Sequence, residues 1–210
     1  MSAGAGIRVL PAGLSAVLVE VADGERAAAL HAELLRRRAA GELPGVTEIV
    51  PAARTVLVAG VADPRAFAAE VAGWDLPPVA ARPGAVVELP VRFDGPDLAD
   101  VAALWRTTGG EVVRIVTGTP LRVAFCGFAP GFGYLTGLPP QLHVPRRATP
   151  RTGVPAGSVG LAGPYAGVYP RASPGGWQIV GTTDAPLWDA GRDPAALLAP
   201  GTAVRFVAVR

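Results

Sequence analysis

The chain has 210 residues; half are hydrophobic, 17% are charged, and the formal net charge is +2. That apolar content excludes a disordered chain, and so small a charge without a basic, aromatic-interleaved stripe excludes an electrostatic nucleic-acid binder. All 19 basic residues are arginine, and lysine and asparagine are absent, which removes P-loop lysines, Schiff-base lysines and N-glycosylation acceptors. Any anion held by this chain must therefore meet arginine, backbone N–H groups or helix N-termini. A single cysteine, Cys126, rules out an internal disulfide or a cysteine zinc site and fits a reducing compartment. The start MSAGAGIRVL lacks a signal-peptide pattern, and no apolar run nears the roughly 20 residues of a membrane span, so a soluble, cytoplasmic chain is expected. The 27 glycines and 22 prolines follow no Gly-X-Y period and sit between apolar runs, which predicts many tight turns in a β-rich fold.

In chain order, 14–21 (LSAVLVEV) reads as a buried strand. Asp23 precedes a helix over 25–41 with Ala27, Leu30, Leu34 and Leu35 as its apolar stripe; Gly41 and Pro44 end it. Arg36, Arg37 and Arg38 close that helix where cations complement its dipole, and His31 at the stripe's edge reads as structural. Strands at 46–50 and 54–60 follow, then a helix from Asp63-Pro64 to about Gly73, with Asp as cap and Pro at the first position. These elements predict a small α/β sandwich over residues 1–80. The proline-rich, aperiodic segment 74–84 is the expected boundary, and a second domain is expected over 85–210.

VELPVRF alternates, placing Val87, Leu89, Val91 and Phe93 on one face, and Pro90 argues for an edge or a bulge. A helix over 97–107 carries Leu98, Val101, Leu104 and Trp105 on one stripe, capped by Asp97. The segment 109–117 reads as a second short helix, although its valines also suit a strand. Short strands are then predicted at 121–127, 158–162, 166–170, 177–182 and 203–209, the pattern of a barrel or sandwich.

Three loops could carry chemistry. Gly127–Leu135 packs three glycines and three aromatics (Phe128, Phe132, Tyr134) into nine residues, which suits either a ligand-facing wall or a tight turn with its rings in the core. His143–Thr152 holds one of two histidines and three arginines on a backbone stiffened by Pro145 and Pro150, as carboxylate or phosphate binding requires. Pro155–Gly160 and Ser173–Gln178 are glycine turns leading into strands; Gly157-Ser158-Val159-Gly160 is not a nucleophile elbow, so a Ser–His–Asp hydrolase is poorly supported. Cys126 reads as a packing residue.

Taken together, GFAPGFGYL, LHVPRRATPRTGVPAGSVGLAG and GVYPRASPGGWQIVGTT resemble the signature of the 5-oxoprolinase B-subunit family, also catalogued as allophanate hydrolase subunit 1 or KipI-like. The resemblance implies an α+β architecture in which the small N-terminal α/β sandwich is followed by a cyclophilin-like β-barrel. It also implies partners, the A subunit and a second cyclophilin-like protein, the C subunit, with which 5-oxoproline is converted to glutamate at the expense of ATP. Phosphorylating the lactam oxygen would supply the leaving group that a stable amide lacks. Val116, Gly133 and Tyr165-Ala166 depart from the family pattern. The residues expected to bind substrate are His143, Arg146, Arg151, Phe128, Phe132, Tyr134, Gly157, Ser158 and Gln178; no catalytic residue or metal ligand is assigned. No nucleophile–base pair is visible, so the isolated chain is expected to be inactive. Arg147 is expected to point away from Arg146 and to take no part, and Arg146→Lys and Arg151→Lys to leave folding untouched. Two other functions compatible with the resemblance are inhibition of a histidine kinase and half of a biotin-dependent carboxyltransferase or allophanate-related enzyme.

Overall fold

The computed structural model describes residues 6–77 and 86–210, and the chain divides into two compact units, Met1–Arg82 and Pro83–Arg210. Much of the predicted boundary segment 74–84 lies outside the described residues.

In the first unit, β1 (Arg8–Pro11), β2 (Ala16–Glu20), β4 (Thr55–Ala59) and β3 (Glu48–Pro51) form an antiparallel sheet in the order β1-β2-β4-β3. Alternation places Val17, Val19, Val56 and Val58 on its buried face. Against them pack Leu30 and Leu34 of α1 (Gly24–Ala39) and Phe67 and Val71 of α2 (Pro64–Ala72). Leu35, predicted in the stripe, is partly exposed because the sheet covers a narrower arc of the helix. Asp63 caps α2 as expected, accepting from the N–H groups of Arg65 at 2.9 Å and Ala66 at 3.0 Å. The arginines ending α1 are tied down locally: Arg36 and Arg37 pair with Glu33, and the Arg37 guanidinium lies 4.0 Å from the Trp74 ring centre. The edge strand β1 is not evident in its short RVLP sequence, whose burial is only partial.

The second unit is a nearly closed barrel of seven strands in the order β12-β9-β10-β7-β6-β13-β5. They are β5 (Val87–Val91), β6 (Leu121–Cys126), β7 (Gly133–Thr136), β9 (Ser158–Ala162), β10 (Tyr165–Val168), β12 (Gln178–Thr182) and β13 (Ala203–Ala208). Leu89, Val123, Leu135, Leu161, Val168, Val180 and Phe206 fill the interior, and Val101, Val112 and Val116 of α3 (Leu98–Leu104) and α4 (Gly109–Gly118) join the same core. A two-stranded ribbon of β8 (Arg151–Val154) and β11 (Ser173–Gly175) completes the unit. Pro90 lies on β5, at the end of the strand order, as its missing N–H requires. There the barrel nearly closes: Arg92 and Thr182 exchange both backbone hydrogen bonds at 2.8 Å, and Gly95 N–H donates to Val180. A side chain at Gly95 or Gly181 would collide with the opposing backbone, so glycine permits the approach.

Residues 109–118 are helical despite their valines, with the Thr108 hydroxyl accepting from Glu111 N–H at 3.2 Å. The predicted helix 97–107 is shorter than expected and exposes Leu104, since α3 ends there and only Val101 and Ala102 are buried in it. Strands β7, β8 and β11 fall in segments that read as loops, because their glycine and proline content hides them. Among the described residues no helix is long and apolar enough to cross a membrane.

Candidate functional site

The Gly127–Leu135 segment is both a tight turn and the start of β7. Ala129 N–H donates to Gly127 and Phe132 N–H to Ala129, at 2.8 and 3.0 Å, so the chain reverses within five residues. Gly131 takes a φ of +83°, and a side chain there would press on Trp188. Phe128 also has positive φ, +68°, an unfavourable conformation for a bulky residue, and its ring is 58% exposed.

Behind Phe128 the rings form one continuous cluster on the barrel's outer face. Phe132 meets Phe128, Tyr169 and Trp177 edge-on, each at 5.4 Å. Tyr134 stacks on Phe125 at 4.4 Å and meets Tyr165 at 5.5 Å. All three tyrosines of the chain are in this cluster. Phe132, Tyr169 and Trp177 are buried and pack with Val154 of β8, whereas Tyr134 and Tyr165 are half-buried. Burial pushes all three phenols up, and the nearby Arg146 charge opposes that for Tyr134 and Tyr169.

The arginine loop is fixed by its backbone and by one acid. His143 Nε2 donates to the Leu138 carbonyl at 3.1 Å, Gln178 Nε2 donates to Pro145 at 3.2 Å, and Arg147 N–H donates to Gly176 at 2.8 Å. The carboxylate of Asp97, 1% exposed, accepts both Arg151 terminal nitrogens at 2.8 and 2.7 Å, Arg147 Nη1 at 2.6 Å and Ile179 N–H at 2.6 Å. Burial alone would raise the Asp97 pKa. The hydrogen bonds from Arg151 and Ile179 and the charges of Arg151 and Arg147 outweigh it and hold the group below its ordinary value of 3.8.

Asp97 therefore does not cap α3 with its side chain, as the sequence suggests, because its oxygens are committed elsewhere. Arg147, expected to take no part, belongs to the framework, and Arg151 shares that role. The expectation that Arg151→Lys leaves folding untouched is accordingly revised. Arg146 is exposed and, among the described residues, has no carboxylate within ion-pair distance.

The structure thus brings Phe128, Phe132 and Tyr134 into one aromatic face, and Arg146 is exposed, its charge felt by Tyr134 and Tyr169. It places His143, Arg151, Gly157, Ser158 and Gln178 in the supporting framework. Gly157 has φ +79° and sits against the Thr183 carbonyl; Ser158 is buried at the head of β9. Gln178 is 7% exposed, and its Oε1 has no hydrogen-bond partner among the described residues. Sequence reasoning misses Tyr165, Tyr169 and Trp177 as members of the face, although Trp177 lies within one of the glycine turns. It misses Asp97 because the partners of that carboxylate are 50 and 54 residues away.

Asp97 should leave a signature in acid. Its folded pKa is depressed, so its stabilisation is complete above the unfolded value of about 3.9 and is lost as pH falls through the folded value. The stability advantage of wild type over Asp97→Asn should be constant near neutrality and shrink below about pH 4. Melting curves of both proteins between neutrality and acid check this, and an advantage that persists unchanged in acid contradicts it.

A model of the carboxyltransferase domain family, subdomains C and D, matches residues 7–198. The B subunit of 5-oxoprolinase from Escherichia coli O157:H7 is 42% identical over 174 residues, covering 79% of this chain and 79% of that protein. The crystal structure of TTHA0988 superposes with a TM-score of 0.74 at 34% identity, covering 97% of this chain. This chain spans 41% of that longer polypeptide. The Kluyveromyces lactis urea amidolyase structure superposes at 0.71 with 20% identity over 97% of this chain and 15% of that one, a likeness of fold alone.

Proposed function

Because the chain belongs to the carboxyltransferase domain family, subdomains C and D, we propose that it is the B subunit of a 5-oxoprolinase. In this reading it works with the A subunit and a second barrel protein, the C subunit, to convert 5-oxoproline to glutamate. The observation that carries the reading is the identity to the E. coli B subunit across most of both chains. The curated relatives found carry the 5-oxoprolinase name, so kinase inhibition and a carboxyltransferase half are set aside.

The site geometry is compatible with that substrate. 5-Oxoproline is a small ring with a carboxylate; the aromatic face offers an apolar wall and Arg146 a planar fork. The face is open, with Phe128 largely in solvent, and among the described residues holds no nucleophile–base pair, which supports a site completed by a partner and a chain inactive alone. Nucleotide dependence is part of the proposal, but this chain's residues do not fit a triphosphate site. Lysine is absent, and with Arg147 and Arg151 on Asp97 a single loop guanidinium remains. The nucleotide is therefore assigned to the partner proteins.

The test is genetic. Deleting the gene for this chain from its host should make 5-oxoproline accumulate, and restoring the gene should clear it. A deletion that leaves the 5-oxoproline pool unchanged sinks the reading.

A further inference from the structure

The three arginines of one short loop have different environments. Arg147 and Arg151 converge on the buried Asp97 carboxylate, which also accepts Ile179 N–H and so ties the loop to β12. Arg146 lies between two backbone positions held by other bonds, Pro145 O and Arg147 N–H. That backbone runs beside the aromatic cluster, because Gly176, which accepts from Arg147 N–H, follows Gly175, against which the Tyr169 hydroxyl packs. Arg147 and Arg151 are ion-paired to Asp97, and Asp100 adds its charge near Arg151, whereas Arg146 is exposed and has no carboxylate within ion-pair distance among the described residues.

We propose that Asp97 is a positioning residue that, by engaging Arg147 and Arg151, dedicates Arg146 alone to the carboxylate of a small cyclic ligand on the aromatic face. The assignment of that ligand as 5-oxoproline rests on the function proposed above; the division of labour among the arginines does not. An unpaired Arg146 next to an apolar wall exchanges water for ligand at low desolvation cost, whereas Arg147 or Arg151 would first have to abandon a buried carboxylate. The same logic makes Arg146 and Asp97 act as one unit: without Asp97 the loop loses its anchor and Arg146 its aim.

Two measurements test this. The first is labelling with phenylglyoxal, which attacks free guanidiniums, followed by peptide mapping of the purified chain. Arg146 should react about tenfold faster than Arg147 or Arg151, the factor expected for guanidiniums held by charge-assisted hydrogen bonds, and Asp97→Asn should abolish the difference. Should Asp97→Asn not fold, Arg151→Lys leaves the Asp97 carboxylate to Arg147, whose labelling should stay slow beside that of Arg146; an Arg147 that then labels as fast as Arg146 overturns the proposal. Equal labelling of the three arginines in the wild-type chain overturns the proposal.

The second is turnover by the reconstituted complex. Arg146→Lys should raise KM for 5-oxoproline about thirtyfold with kcat little changed, and should leave the melting temperature where it was. Asp97→Asn should raise KM similarly, and the double variant no further, because the two residues serve one interaction. Additive KM effects, or an Asp97→Asn protein that melts lower with KM unchanged, make Asp97 merely structural and overturn the proposal. A wild-type complex with no turnover of 5-oxoproline removes the functional reading instead, and the labelling pattern then decides the division of labour.

Discussion

Replacing Asp97 by alanine is expected to destabilise the barrel by about 3 kcal/mol, more than any surface substitution in the chain. The carboxylate is almost wholly buried and accepts four hydrogen bonds, so its removal strands two guanidiniums and the Ile179 N–H together. Arg147 and Arg151 keep 31% and 26% of their side chains exposed, so water reaches them and the loss falls at the lower end for a broken buried pair. Arg92→Ala is the contrast. Its fork onto Asp184 is also two-armed, at 2.7 and 3.2 Å, but both partners are exposed, and its loss should move the unfolding midpoint far less than that of Asp97. Urea midpoints of the barrel's unfolding transition compare the two directly; equal midpoints contradict the account of Asp97.

Gly95→Ala should also cost about 3 kcal/mol, by opening the seam of the barrel. The added methyl would land on the backbone of Ile179, Val180 and Gly181, where no side-chain rotation can relieve the contact. The strand end must then withdraw, breaking the Gly95–Val180 hydrogen bond and drawing Asp97 away from Ile179 two residues later. Gly153→Ala is the matched control, since a methyl there meets nothing within 4 Å. Similar urea midpoints for the two variants would show that the seam tolerates separation.

Much of the fold is legible in the sequence because its signals are local. Alternation in VELPVRF predicts β5, Pro90 an edge or a bulge in it, Asp63-Pro64 the start of α2, and the apolar runs at 158–162 and 177–182 predict β9 and β12. What stays hidden depends on distant partners. Gly133–Thr136 pairs with β6 and β10 but reads as a turn, because glycine and aromatics dominate its sequence. Asp97 has the position of a helix cap, and only the fold reveals that two arginines of a far loop claim its oxygens. The aromatic loop reads as either a wall or a core. The structure contains both, with Phe132 buried and Phe128 held out in solvent at positive φ. The arginine loop is recognisable as a candidate anion site, but extended geometry alone does not say which of its arginines is unpaired.

Reconstitution tests the central claim most directly. Glutamate formation from 5-oxoproline in the presence of ATP should be measured with this chain and its partner proteins together, with each omitted in turn, and with this chain alone. The account predicts turnover for the complete set and none when this chain is omitted or is the sole protein. Undiminished turnover by the partners without it, or turnover by the chain alone, contradicts the account.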